Sequence, residues 1–169
     1  MTATDIYQQL IQRFGEDSFP ENHLDAPQPY LTVKPDNIAD VCLFLRDTEG
    51  LYFDYLNCLS GVDYGATENR LTVVYHLYSL IEGHTLVLKC HLPRQIEGQP
   101  DFLPEIPSVA SVWRTADWHE REIYDLLGIR FTNHPDLRRI FMPQDWVGYP
   151  LRKDYAPQTE YHGIKVAYE

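Results

Sequence analysis

A chain of 169 residues that is 44% hydrophobic and 23% charged can bury one core, which excludes wholesale disorder. Its formal charge of −11 argues against a nucleic-acid binder, which needs a net basic face. Cys42, Cys58 and Cys90 are odd in number and far apart with no C-x-x-C pair, so they read as small buried hydrophobes in a reducing compartment rather than as cluster or zinc ligands.

The charge is uneven. Residues 1–113 hold 6 basic and 16 acidic side chains, whereas residues 126–153 hold 5 basic and 2 acidic. A basic segment on an acidic body suits an acidic protein partner or anionic headgroups. The first nineteen residues have neither a long apolar core nor an Arg-rich presequence. No apolar run approaches the ~20 residues needed to span a bilayer.

In chain order, Ile6, Leu10, Ile11 and Phe14 recur at helical spacing and Gly15 follows as a stop. Residues 20–29 read as a polar connection, and residues 30–34 (YLTVK) as a strand. Asp36 is placed to cap a second helix with a stripe of Ile38, Val41, Cys42 and Leu45. The apolar run 51–59 reads as a strand. Two alternating runs follow, Leu71, Val73, Tyr75, Leu77 and then Leu86, Leu88, Cys90, Leu92, joined around Glu82-Gly83-His84. They predict a hairpin in an antiparallel sheet with one buried face. Residues 93–107 carry four prolines and read as a surface connection; residues 108–113 are ambiguous between strand and helical turns.

Residues 116–127 predict a helix capped by Thr115 and stopped by Gly128. Ala116, Glu120, Ile123 and Leu127 share one stripe, while Asp117, Arg121 and Asp125 form an i, i+4 ladder on the opposite side. Glu120 is the anomaly, a carboxylate on the apolar stripe that needs a partner if buried. It is either a general acid or base with a raised pKa, or one half of a buried ion pair with an arginine of the segment that follows. No nucleophile or second poised carboxylate accompanies it, which favours the ion pair.

Residues 129–169 contain four prolines and no long periodic segment, yet are rich in aromatic rings with Arg138, Arg139, Arg152 and Lys153 interleaved. Aromatics with arginine are typical of interface hot spots. The expected architecture is therefore an α+β domain over residues 1–128, two layers with a mostly antiparallel sheet packed by helices. An extended arm over residues 129–169 docks on a partner, with Trp146 and Tyr149 as anchors; the alternative is an arm that wraps its own domain. The seven histidines show no ligand pairing, and no nucleotide-binding glycine motif is present, so no metal, cofactor or catalytic residue is expected.

Glu120-Arg121-Glu122, Asp125-Leu126-Leu127-Gly128, His134-Pro135-Asp136-Leu137-Arg138 and the run Gly148-Tyr149-Pro150-Leu151-Arg152-Lys153-Asp154-Tyr155 stand in this order at fixed spacing. They resemble the signature of the C-subunit family of the proton-pumping NADH-quinone oxidoreductase, respiratory complex I (its 30 kDa subunit family). The resemblance implies a cofactor-free peripheral-arm subunit on the cytoplasmic side of a bacterial membrane. Its main neighbour would be the quinone-site D subunit, with the B and I subunits nearby. The complex would carry electrons from NADH through FMN and iron–sulfur clusters in other subunits to quinone, coupled to proton translocation. The signature residues would serve as interface and scaffold. The alternative is a homologous subunit of a membrane-bound hydrogenase or formate hydrogenlyase, or of a ferredoxin- or plastoquinone-linked complex.

Overall fold

The computed structural model describes residues 1–99 and 101–166; Pro100 of the proline-bearing connection and the last three residues of the arm lie outside it. Helix α1 (Ala3–Phe14) opens on a capping box in which the Asp5 N–H donates to Thr2 Oγ1 and the Thr2 N–H donates to Asp5 Oδ2. It closes at Gly15, whose φ of 80° is costly for other residues. Helix α2 (Ile38–Asp47) is entered through a 3-10 turn at Pro35–Asn37, not through an Asp36 cap. The Asn37 amide instead donates to Ser18 Oγ. Helix α2 buries the stripe its spacing predicts, and α1 buries Ile6 and Leu10 with Ile11 and Phe14 partly buried against the core.

Five strands form the main sheet in the order β1-β2-β5-β4-β3. They are β1 (Glu21–His23), β2 (Tyr30–Thr32), β3 (Tyr55–Asp63), β4 (Arg70–Tyr78) and β5 (Thr85–Pro93). The β4–β5 hairpin keeps the expected alternation, with Leu71, Val73, Tyr75, Leu77, Leu86, Leu88, Cys90 and Leu92 all in the core. The β2–β5 pairing is parallel; the other pairings in this sheet are antiparallel.

Several expectations move. The run 51–59 becomes a strand only from Tyr55; Leu51 and Phe53 are buried in the turn before it, so their hydrophobicity reports burial rather than pairing. The 20–29 connection holds β1, whose three residues are exposed at the sheet edge and so show no apolar signal. The 93–107 connection holds β6 (Glu105–Pro107), which pairs in parallel with β7 (Arg130–Thr132). Helix α3 (Ala116–Leu127) is the crossover between them. It lies against β3 where Gly61 leaves room: a Cβ there would overlap Leu127 Cδ1. Ile129 and Phe131 belong to the same core, so the body of the fold runs on to β7. The arm ends in a small hairpin of β8 (Glu160–Tyr161) and β9 (Ile164–Lys165).

Candidate partner-docking site

Helix α3 presents Glu120 to the interior, as its stripe predicts, and no part of the side chain is exposed. An arginine does not meet it. Oε2 is 2.5 Å from Ser108 Oγ, and Oε1 accepts the Val109 N–H at 2.7 Å. Ser108 Oγ accepts the Ala110 N–H in turn. The arm contributes His134, whose Nε2 lies 3.8 Å from Glu120 Oε2. The ion pair expected from the sequence is thus replaced by short hydrogen bonds to a serine and a backbone amide. Burial pushes the Glu120 carboxyl up to about 7; the Ser108 and Val109 hydrogen bonds lower it and the Asp117 charge adds to the rise. The Ser108 hydroxyl and the Val109 N–H give each carboxyl oxygen a donor without an arginine.

His134 orders the start of the arm. Nε2–H donates to the Asp117 carbonyl at 3.1 Å and Nδ1 accepts the Asp136 N–H at 3.0 Å, which fixes the tautomer.

The Arg121–Asp125 side of α3, opposite the apolar stripe, is roofed by the arm. Asp125 Oδ2 accepts the backbone N–H groups of Ile140, Phe141 and Met142 at 3.0, 2.7 and 2.9 Å. Three successive amides converge on one carboxylate oxygen, a nest for an anion. Its Oδ1 faces Arg139 Nη1 at 3.4 Å, and these two atoms, each buried without a hydrogen bond, compensate one another as charges. Arg121 Nε donates to the Arg138 carbonyl, and its guanidinium lies 4.9 Å from the Trp118 ring. Of the remaining signature residues here, Glu122, Pro135 and Arg138 are exposed.

A second clamp sits at the far end of the sheet. Arg94, fully buried, donates through Nε to Asp63 Oδ1 at 3.0 Å and through Nη2 to Asp154. Asp63 also accepts the N–H groups of Gly65 and Lys153. Burial raises the Asp63 carboxyl, but the Lys153 and Gly65 amides with the Arg94 guanidinium outweigh it and hold the group below its usual range. Between the two clamps, the Leu151 N–H donates to the Leu126 carbonyl and Arg152 Nε to the Leu127 carbonyl. Tyr149 covers Gly128 between the guanidinium groups of Arg139 and Arg152, 5.3 and 5.0 Å from its ring. Trp146 Nε1 donates to the Tyr155 hydroxyl. Both expected anchors are therefore engaged within the chain, and the contacts are those of an arm wrapping its own domain. Pro150 is half-buried beside them.

Asp63, Arg94 and Ser108 carry this geometry without having been singled out in the sequence. Beside the local Gly65 and Ala110 amides, their partners stand 12 to 90 positions away, and no local pattern marks them.

The outer side of this assembly exposes large apolar side chains among charges of both signs, with Arg138 paired to Asp136. Trp118, Phe141, Val147 and Leu151 are 63, 63, 67 and 59% exposed, with Arg138 and Lys153 exposed beside them. Beside Val147, a groove of about 500 Å³ opens between Phe102 and Leu103 on one wall and Tyr149, Arg152 and Tyr155 on the other. Among the described residues no group of three or more His, Cys, Asp or Glu side chains is arranged to hold a metal ion, and no helix is long and apolar enough to cross a membrane.

The family model described as "Respiratory-chain NADH dehydrogenase, 30 Kd subunit" matches residues 31–161. The C subunit of the NADH-quinone oxidoreductase of Chlorobium phaeobacteroides is 46% identical, with 98% of this chain aligned to 96% of that one. Its counterpart in Chloroherpeton thalassium is 47% identical over 96% of this chain, which spans 64% of that relative's length. The counterpart in Geobacter sulfurreducens is 46% identical over 76% of this chain and 74% of its own. Among solved structures, a chain of the membrane-bound sulfane sulfur reductase, an archaeal respiratory membrane complex, is similar with a TM-score of 0.62 at 20% identity. That match covers 90% of this chain and 85% of the other, and it shows a shared fold.

Proposed function

The chain belongs to the 30 kDa subunit family of the respiratory-chain NADH dehydrogenase, and from that membership we propose that it acts by adhesion, holding the quinone-reducing module of the complex together without handling electrons. Its main partner is the D subunit, with the B and I subunits nearby, on the cytoplasmic side of the bacterial membrane. NADH, FMN, iron–sulfur clusters and quinone are handled by other subunits, and proton translocation follows from their chemistry. Relatives at 46–47% identity, named as the C subunit of NADH-quinone oxidoreductase, favour this reading over a hydrogenase or ferredoxin-linked complex.

The observation that carries the proposal is the prebuilt face of the arm. Ordering a flexible segment on binding costs free energy that a pre-organised one avoids. Here Asp125, Arg94 and Tyr149 have already fixed the backbone, leaving Phe141, Val147 and Leu151 with little to cover them. Exposed Lys153 next to Leu151 supplies charge for an acidic counterpart, whereas Arg138 is paired with Asp136. Glu120, Arg121, Asp125, Gly128 and His134 act behind this face, as scaffold.

The double substitution Phe141→Ser with Leu151→Ser tests it. Both side chains are exposed, so the isolated chain keeps its melting temperature. Recovery of the D subunit with the tagged chain from mild-detergent membranes falls by about tenfold or more. Full recovery with the doubly substituted chain refutes docking through this face.

A further inference from the structure

At the opposite end of the main sheet, the turn between β4 and β5 carries two large apolar residues in the open: Leu80 is 64% and Ile81 73% exposed. Hairpin turns favour glycine, asparagine, aspartate and serine, and a β-branched residue there gains nothing from turn geometry. Single exposed apolar residues need no explanation, but these are adjacent and rigidly held. The Ser79 N–H donates to the His84 carbonyl and the Gly83 N–H to the Ser79 carbonyl. Ser79 Oγ accepts the Glu82 N–H, and the Leu80 N–H donates to Asp54 Oδ1. His84 Nε2 donates to the Leu51 carbonyl and its ring lies 4.7 Å from Phe53. The tip is thus braced from two sides while its two apolar side chains bury little within the chain.

The charge around the tip decides what can cover it. Glu82 and Asp54 are exposed at the knob, and exposed Glu49 lies two residues from Leu51 in the bracing turn. Two basic side chains, Arg46 and Arg114, line one groove with Asp54; Arg46 is paired with Asp47, so Glu49, Asp54 and Glu82 leave the surroundings of the tip net acidic, and Arg70 lies at the other end of β4. Anionic lipid headgroups are repelled by such a rim, and two copies of this chain would bring acidic rims face to face. A protein surface with an apolar socket and a basic rim fits.

We propose that the β4–β5 tip is a second docking point, where Leu80 and Ile81 enter an apolar, basic-rimmed socket on a polypeptide other than the one met by the arm. The nine residues of β4 separate the tip from the Arg94 clamp by about 30 Å at ~3.3 Å per residue. The rigid sheet then serves as a spacer between two neighbours. This rests on the adhesive role above only in that the chain works within a complex.

Photo-cross-linking in intact membranes tests it, with p-benzoylphenylalanine replacing Ile81 in one strain and Phe141 in another. The expected product from position 81 is a single protein adduct, at an apolar stretch flanked by Lys or Arg, on a polypeptide different from the position-141 adduct. A companion strain carrying Glu82→Lys lowers the position-81 yield by about threefold or more, since the rim charge is reversed. Adducts at position 81 to lipid, to a second copy of this chain or to the arm's own partner overturn the proposal, as does no protein adduct there or an unchanged yield with Glu82→Lys. A product at 81 without one at 141 leaves this docking point standing and removes the arm's instead.

Discussion

Glu120 and Asp63 are buried carboxylates with opposite consequences for pH. The folded Glu120 carboxyl titrates at about 7 against 4.5 in the open chain, so the native state holds its proton more tightly. Its contribution is full below pH 4.5 and is lost as pH rises through about 7, a change of about 3 kcal/mol. Glu120→Gln removes the titrating group while its carbonyl oxygen can still accept the Val109 N–H. Denaturant unfolding between pH 4.5 and 8 should therefore show a flatter pH profile for the variant, and an unchanged slope would refute the assignment. Asp63 is held below its usual range, so its contribution is present above its open-chain pKa and lost as pH falls through the lowered folded value. The Lys153 amide it binds should accordingly lose exchange protection in acid. Asp125 has the heaviest duty. Replacing it with alanine leaves three amides and the Arg139 guanidinium without their partner. Urea unfolding of Asp125→Ala should show a loss of about 3–5 kcal/mol.

Helix α3 is read from the sequence with its observed ends, Ala116–Leu127, because stripe, stop glycine and length agree. Gly128 stops it with φ of 70°, and a Cβ there would stand 2.6 Å from the Tyr149 ring. Gly128→Ala therefore carries the left-handed cost of about 1–2 kcal/mol and pushes Tyr149 off its seat. Faster exchange of the Leu151 amide, which donates to the helix terminus at Leu126, is the expected readout. The β4–β5 hairpin was equally legible, since each of its strands alternates cleanly. Strand β1 was not, because an exposed edge strand of three polar residues has no pattern to show. The start of β3 was misplaced because Leu51 and Phe53 are apolar through burial in a turn. Glu120 stood out as an anomaly, but its partner did not. Ser108 has no feature that distinguishes it from a surface serine, and its hydroxyl with the Val109 N–H takes the place of the arginine that charge pairing predicts. The i, i+4 ladder of Asp117, Arg121 and Asp125 is legible as one side of the helix, but its cover is not: helix periodicity shows which residues share a side, not what later chain covers that side.

The molecule joins an acidic body to a locally basic arm through two clamps, one on α3 and one at the end of β3 and β5. That design turns a segment without regular structure into a fixed surface. Raising the salt concentration should weaken assembly through the arm, because exposed Lys153 acts through screened charge. The contacts of Asp125 and Asp63 with the arm's backbone give the arm its order from its own chain. Hydrogen exchange of the isolated chain measures this most directly, at the amides of Ile140, Phe141, Met142 and Lys153. Slow exchange at all four, comparable to the β4–β5 core, is the predicted result. Exchange at the rate of an unstructured peptide, becoming slow only when the partner is added, would contradict it.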